Sequence, residues 1–189
     1  MCGILGFASS QAVKNKNEIL KGGQLLNHRG PDDSGEWVSL DGKVGLSHRR
    51  LSIVDLSAKG RQPMSDSTNR FKIVFNGEIY NYKELFDKFS SKGYEFHSKS
   101  DTEVILASYI EWGENCTSHL NGMFAFAIFD SKKNTLFLSR DRAGEKPLYF
   151  RNKDGIFRFC SEIKGLLNGL SLIHISEPTR LLSISDAGV

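Results

Sequence analysis

The chain has 189 residues, the length of about one domain with a short extension. Its longest apolar run, residues 123–129, is far shorter than the roughly 20 residues of a membrane-spanning helix, which argues against a membrane protein. Three widely spaced cysteines exclude a disulfide framework and a zinc-binding pattern, and a net charge of +3 without a long basic cluster argues against nucleic-acid binding. No basic and apolar leader precedes the first strand pattern, so we expect a cytoplasmic protein.

The first half of the chain combines short strand patterns with polar loops. Residues 1–8 favour an apolar strand, and residues 17–26 favour a helix that Gly22 and Gly23 weaken. A loop with glycine and proline follows at residues 28–32. Further strands are predicted at residues 36–40, 44–47, 51–54 and 71–75. The pair Asn76-Gly77 then predicts a turn, and a short amphipathic helix is predicted to end near Gly93.

The second half begins with a helix and continues mostly as strands. Ser100 and Glu103 have the spacing of a capping box, which predicts a helix that begins there and ends at Gly113. Residues 123–129 are almost wholly apolar, as in a strand buried on both faces. Further strands are predicted at residues 135–139, 148–151 and 156–160, and a last helix at 162–167. Because the strands occur in runs, the pattern favours a layered α+β fold over a parallel α/β sheet.

Cys2 is the first candidate for chemistry. Its small side chain makes removal of the initiator Met1 plausible, which would leave cysteine as the first residue. The thiol and the α-amine would then both titrate near neutral pH, and the amine could act as the base for the thiol. The alternative is an ordinary strand cysteine in a chain that keeps Met1.

Three polar segments interrupt the apolar strands. Arg50 could clamp a carboxylate, although an exposed or salt-bridged arginine is the commoner case. Asn76 and the Gly77 N–H could donate to a developing oxyanion, although Asn-Gly is also the commonest hairpin turn. Asp101 could hold an ammonium group, although acids at helix starts are ordinary. Together with Cys2, these residues describe a site for an α-amino acid whose side chain carries a reactive carbonyl.

Seven ordered motifs resemble the class II glutamine amidotransferase domain, in the form found in glutamine-hydrolysing asparagine synthetases. The motifs lie at residues 1–6, 28–32, 50–55, 76–82, 100–105, 122–127 and 139–149. The resemblance covers residues 2–168 and implies an N-terminal-nucleophile hydrolase fold. This fold is a four-layer αββα sandwich, in which two antiparallel sheets lie between helical layers.

The resemblance also implies the roles of the site residues. Cys2 would attack the side-chain amide of L-glutamine, with Asn76 and the Gly77 N–H stabilising the oxyanion. The implied glutamine-binding residues are Arg50, Leu51, Ile53, Val54, Asn76, Gly77, Glu78 and Asp101. His28 and Arg29 are predicted to be loop residues without chemistry, and Cys116 and Cys160 to be buried apolar groups. No metal site is predicted, and the glutaminase step would need no cofactor.

In the family, the ammonia passes to an ATP-dependent synthetase domain in the same chain, to which ATP and Mg²⁺ would belong. No pyrophosphate-binding loop of such a domain occurs in these 189 residues. We therefore expect a glutaminase domain at residues 2–168 and a tail at 169–189 that is foreign to the family. A homodimer stays open, as do two other functions: an amidotransferase half that serves another acceptor, and a non-catalytic remnant.

Overall fold

The structure is a computed structural model that describes residues 1–52 and 57–167. These residues form nine strands and four α-helices. The strands are β1 (Gly3–Ser9), β2 (Asp33–Val38), β3 (Val44–Arg50), β4 (Met64–Ser65), β5 (Phe71–Ile79), β6 (Gly122–Asp130), β7 (Thr135–Arg140), β8 (Tyr149–Lys153) and β9 (Ile156–Cys160). The helices are α1 (Lys16–Lys21), α2 (Tyr82–Ser91), α3 (Asp101–Trp112) and α4 (Ile163–Leu167).

The strands form two antiparallel sheets. The five-stranded sheet has the order β2-β3-β1-β9-β8, and the four-stranded sheet has the order β4-β5-β6-β7. Because β1 lies in the centre of the first sheet, the beginning of the chain pairs with β3 on one side and β9 on the other.

Three apolar clusters show how the layers stack. Side chains from the inner faces of both sheets meet in one cluster, which contains Ile4, Leu46, Val74, Ala125, Ala127, Leu138, Leu148 and Phe159. The outer face of the four-stranded sheet packs against α2 and α3. The outer face of the five-stranded sheet packs against α1, the 3₁₀ turn that follows it, and α4. The predicted four-layer αββα architecture is therefore confirmed.

The predicted turn at Asn76-Gly77 is wrong. β5 runs without interruption through both residues to Ile79, with Asn76 opposite Ala125 and Gly77 opposite Phe124 of β6. A Cβ at Gly77 would overlap the backbone of Met123 and Phe124. The glycine therefore allows two strands to approach closely and does not reverse the chain.

Two other predicted elements differ from the structure. β3 ends at Arg50, and Leu51 and Ser52 are not in a strand; the remainder of the predicted strand, Ile53 and Val54, lies outside the described residues. The first helix is α1 followed by a 3₁₀ turn over Gly22–Leu26, since the glycine pair disfavours a regular α-helix.

The predicted start of α3 is confirmed, with a different arrangement of its cap. The Ser100 hydroxyl accepts from the Thr102 N–H at 3.2 Å, and the helix ends at Gly113 with a φ of 59°. The Glu103 carboxylate accepts from the backbone N–H groups of His97 and Ser98, at 3.0 and 2.7 Å, and so fixes the loop that precedes the helix. None of the helices in the described residues has the length and hydropathy of a membrane span.

Candidate active site

The alternation of side chains along the strands places the predicted polar residues on the inner faces of the two sheets. Ile4, Leu46 and Val74 all point into the space between the sheets. Residues two or four positions away on the same strand point the same way, so Cys2, Arg50 and Asn76 face this space as well. Cys2 directly precedes β1 and Arg50 ends β3, so these residues meet at one end of the sandwich.

Seven of the nine predicted site residues line one cavity at this end. They are Cys2, Arg50, Leu51, Asn76, Gly77, Glu78 and Asp101. The cavity encloses about 670 Å³ of empty space, including its open mouth. The other two predicted residues, Ile53 and Val54, lie outside the described residues. Within the described part of the chain, no group of three or more His, Cys, Asp or Glu side chains is gathered as a metal ion would require.

The Cys2 thiol is held by the backbone of Leu51. The Leu51 N–H donates to Sγ at 3.3 Å, and the thiol donates to the Leu51 carbonyl oxygen at 3.6 Å. Burial raises the pKa of the thiol above its ordinary value; the Leu51 N–H and the positive charges of the terminal amine and Arg50 oppose this increase. The thiol is therefore protonated at neutral pH and needs a base before it can act as a nucleophile.

Arg29 fixes the backbone of the candidate nucleophile, a contact that the sequence did not reveal. Its Nε donates to the Cys2 carbonyl oxygen at 2.9 Å, and its Nη1 donates to Glu162 at 3.0 Å. His28 contacts the same carboxylate at 2.9 Å. Burial raises the pKa of the Glu162 carboxyl, but hydrogen bonds from Arg29 and His28 outweigh it and lower this pKa to about 2. The predicted loop thus holds the start of β1 in place.

Asn76 carries a buried amide that has no hydrogen-bond partner in the described part of the chain. The residue is 1% exposed, and neither its Oδ1 nor its Nδ2 has a hydrogen-bond partner among the described residues. A buried amide left unpaired is unfavourable by about 1–3 kcal/mol. Its position beside the cavity makes this amide available to a ligand.

The Gly77 N–H points toward the cavity edge of β5. Alternate N–H groups of a strand point to the same edge, so Phe75, Gly77 and Ile79 share one edge. The Phe75 N–H donates to Gln62 Oε1 at 2.6 Å, and the Ile79 N–H donates to Asp101 Oδ2 at 3.1 Å. Gly77 lies between these two occupied positions and lines the cavity. Asn76 and Gly77 thus present adjacent neutral donors to the same space.

Arg50 and Asp101 place opposite charges in the cavity. Arg50 is 7% exposed, and its Nη1 donates to the Ser57 carbonyl oxygen at 2.9 Å. Asp101 is the first residue of α3 and is 5% exposed. Burial raises the pKa of its carboxyl to about 6, although hydrogen bonds from the Ile79 and Thr102 N–H groups act in the opposite direction. A zwitterion can therefore be bound at both ends.

Met1 and Lys146 also line the cavity, and the sequence did not assign a role to either side chain there. Lys146 is 4% exposed, and its Nζ lies 2.9 Å from the Met1 Sδ. While Met1 is present, its side chain occupies part of the cavity, and the nitrogen of Cys2 is an amide. Removal of Met1 would open this space and convert that nitrogen into an amine.

A family model described as a glutamine amidotransferase domain matches residues 1–183. The chain belongs to this family. The amidotransferase domain is 44% identical over 171 residues to "Asparagine synthetase [glutamine-hydrolyzing] 3" of Bacillus subtilis, an alignment that covers 88% of this chain and 27% of that protein. It is also 44% identical over 183 residues to "Putative asparagine synthetase [glutamine-hydrolyzing] 2" of Methanocaldococcus jannaschii, covering 88% of this chain and 35% of that protein.

The amidotransferase domain also has a close structural neighbour. Glutamine phosphoribosylpyrophosphate amidotransferase from B. subtilis superposes with a TM-score of 0.74 at 21% identity, over 87% of this chain and 43% of the neighbour. At this identity, the superposition establishes the shared fold. In length, the chain spans about a third or less of the two asparagine synthetases named above.

Proposed function

We propose that this amidotransferase domain hydrolyses the side-chain amide of L-glutamine to glutamate and ammonia, with Cys2 as nucleophile once Met1 has been removed. The observation that carries the proposal is the Asn76 amide, which has no partner among residues 1–52 and 57–167 and lies beside the Gly77 N–H in the cavity that also contains the Cys2 thiol. These two donors fit the oxyanion that forms when a thiol attacks an amide carbonyl.

In the proposed reaction, the α-amine of Cys2 takes the proton from the thiol, whose raised pKa would otherwise keep it protonated. The sulfur attacks the side-chain carbonyl carbon, and the oxyanion accepts hydrogen bonds from Asn76 Nδ2 and the Gly77 N–H. The intermediate collapses as the amine returns its proton to the leaving nitrogen, which departs as ammonia. A γ-glutamyl thioester remains on Cys2.

The second half of the reaction uses water. The α-amine removes a proton from a water molecule that attacks the thioester carbonyl, and the same two donors hold the oxyanion. The carbon–sulfur bond then breaks, the protonated amine returns its proton to the departing sulfur, and glutamate leaves. Since the steps are proton transfers and acyl transfer, no electron carrier is required, and we propose no cofactor for this reaction.

Charge complementarity would orient the substrate. Arg50 would bind the α-carboxylate of glutamine, and Asp101 with Glu78 would bind its α-ammonium group. The backbone of Leu51, with that of Ile53 and Val54, would complete the pocket. An ion pair at each end of a small zwitterion gives selectivity for α-amino acids and leaves the amide end to meet Cys2.

The names of the relatives support a wider setting for this reaction. Both are called glutamine-hydrolysing asparagine synthetases, and both are much longer than this chain. We propose that the ammonia serves an ATP-dependent synthetase domain, to which ATP and Mg²⁺ would belong. Three free cysteines fit a reducing compartment, and we propose that the reaction takes place in the cytoplasm.

The test compares the 189-residue chain with two cysteine variants. Mass spectrometry should show that Met1 is absent, and a diazoketone analogue of glutamine should label Cys2. Cys2→Ala should abolish glutamate formation while the circular dichroism spectrum is retained. Cys116→Ala is the matched control, because burial raises the pKa of that thiol to about 12 and it lies in the core against α3. Turnover by Cys2→Ala would refute the mechanism, and a processed but unlabelled chain would indicate a non-catalytic remnant.

A further inference from the structure

The outer edge of β5 is open beside the cavity, yet the backbone of Phe75 is paired there. β4 is only two residues long and pairs with β5 at Lys72 and Ile73. Within the described residues, no strand pairs with this edge at Phe75. Side chains take the place of the missing strand: the Phe75 N–H donates to Gln62 Oε1 at 2.6 Å, and His48 Nε2 lies 3.1 Å from the Phe75 carbonyl oxygen.

Both side chains are buried and come from different parts of the fold. Gln62 is 6% exposed, and its Nε2 donates to Thr102 Oγ1 at 3.1 Å, which fixes the orientation of its amide. His48 is 1% exposed and reaches across from β3 of the opposite sheet. A carbonyl oxygen can only accept, so the imidazole proton is on Nε2. Burial lowers the pKa of His48 to about 4, and the ring is therefore neutral at neutral pH.

These contacts determine the position of the residues that follow Phe75. The Phe75 carbonyl and the Asn76 N–H belong to one planar peptide unit. His48 holds this unit at the outer edge of β5, and the ladder with β6 holds it at the inner edge, where Asn76 lies opposite Ala125. The side chain of Asn76 and the next peptide unit, which carries the Gly77 N–H, extend directly from it.

We propose that His48 and Gln62 are positioning residues that set the geometry of the oxyanion hole by binding the backbone of Phe75 in place of a neighbouring strand. The proposal rests on the function proposed above and assigns these residues a role in its transition state. His48 does not line the cavity and Gln62 lies at its wall, so their effect reaches the substrate through Asn76 and Gly77.

The test uses paired substitutions of each residue. His48→Gln retains an N–H donor near the position of Nε2, whereas His48→Leu removes it. Gln62→Met keeps the length of the side chain and loses the acceptor for the Phe75 N–H. Displacement of an oxyanion donor weakens transition-state binding, so His48→Leu and Gln62→Met should lower kcat by about 10–100-fold. KM for glutamine should stay within about twofold, because neither variant changes Arg50 or Asp101.

An aldehyde analogue of glutamine provides a readout that a merely structural role would not change. The aldehyde adds the Cys2 thiol to form a tetrahedral hemithioacetal, whose oxygen occupies the oxyanion hole. The affinity for the aldehyde should fall in His48→Leu and Gln62→Met by the same factor as kcat, whereas His48→Gln should retain most of both. Ser47→Ala is the control, because this buried residue precedes His48 on β3 and points to the opposite face of the sheet.

A fall in kcat with unchanged aldehyde affinity would overturn the proposal, as would a rise in KM without loss of kcat. If His48→Leu fails to fold, Gln62→Met makes the same measurement from the other side of Phe75. Failure of the proposed function would look different, since the wild-type chain would then not release glutamate, or Cys2→Ala would still do so.

Discussion

The carboxyl group of Asp101 should control the acid limb of glutamine hydrolysis. Burial raises its pKa from an ordinary value of 3.8 to about 6, which corresponds to about 3 kcal/mol against the ionised form. In the free protein, about 90% of Asp101 is then ionised at pH 7 and about 10% at pH 5. Because the proposed contact with the substrate ammonium requires the carboxylate, kcat/KM should lose about a factor of ten between these two pH values on this account alone.

The α-amine of Cys2 also titrates in this pH range, and together the two groups determine how steeply kcat/KM changes with pH. In the proposed mechanism the α-amine of Cys2 must be unprotonated, and such amines ordinarily have a pKa of about 7.7–8.0. The slope of log kcat/KM against pH should therefore be about 1 between pH 6 and pH 7.5 and steepen to about 2 below pH 6. Asp101→Asn should have a lower kcat/KM at pH 8 and a slope of about 1 throughout.

The assay is glutamate release from pH 4.5 to pH 8.5 under conditions first order in glutamine. Circular dichroism at each pH checks that both proteins stay folded. Glu78→Gln is the matched control, because it changes an exposed carboxylate at the same cavity. It should retain the steepening, with its onset moved to lower pH, because the charge of Glu78 also raises the pKa of Asp101. A slope of about 2 that persists in Asp101→Asn would show that another group titrates there and would refute this assignment.

Three further predictions concern groups around the cavity. Between pH 6.5 and pH 4, the unfolded chain binds a proton at His48 and the folded protein does not, so the wild type should lose about 3 kcal/mol of unfolding free energy relative to His48→Gln as the pH falls through this range. Urea titrations of both proteins would measure this difference. A difference that does not change with pH would contradict the burial of a neutral ring. Asn76→Ala should lower kcat by about 10²–10³-fold without lowering the urea midpoint, because it removes an amide that has no partner among the residues the structure describes. A large loss of stability would mean that the amide has a partner in the folded protein. Arg29 and His28 lower the pKa of Glu162 below its value in the unfolded chain, so the stability lost in Arg29→Met should be largest above pH 4.5 and decrease as the pH falls toward 2. Thermal unfolding at several pH values would test this. A loss of stability that does not depend on pH would exclude the ion pair as its source.

The sequence predicted elements best where one local pattern agrees with the final packing. β6 is apolar at nearly every position because both of its faces are buried, and α3 has both a clear start and a terminal glycine. The prediction of a turn at Asn76-Gly77 was wrong because these two residues allow β5 to approach β6 closely beside the cavity. Local turn chemistry cannot distinguish these two uses, since the second depends on a strand almost 50 residues later in the chain.

For the candidate site, the sequence predicted the residues that line the cavity but not the residues that hold them in position. Motifs identified Cys2, Arg50, Asn76 and Asp101. The alternation of side chains along the strands explains why the first three converge, and Asp101 joins them from the start of α3. The groups that hold them were not predicted. Arg29 reaches a carboxylate 133 positions away, and His48 reaches a carbonyl on the opposite sheet, so neither contact has a local signal in the sequence.

The central place of β1 has a consequence for handling the protein. The end of a chain is ordinarily its loosest part, but here hydrogen bonds to β3 and β9 begin within a few residues of Met1, and Ser161 binds both the N–H and the carbonyl oxygen of Ile4. The first amides of β1 should therefore exchange with deuterium as slowly as amides in the core. Under the proposed mechanism, an affinity tag placed ahead of Met1 would abolish glutamine hydrolysis, because the amine at Cys2 would never be released.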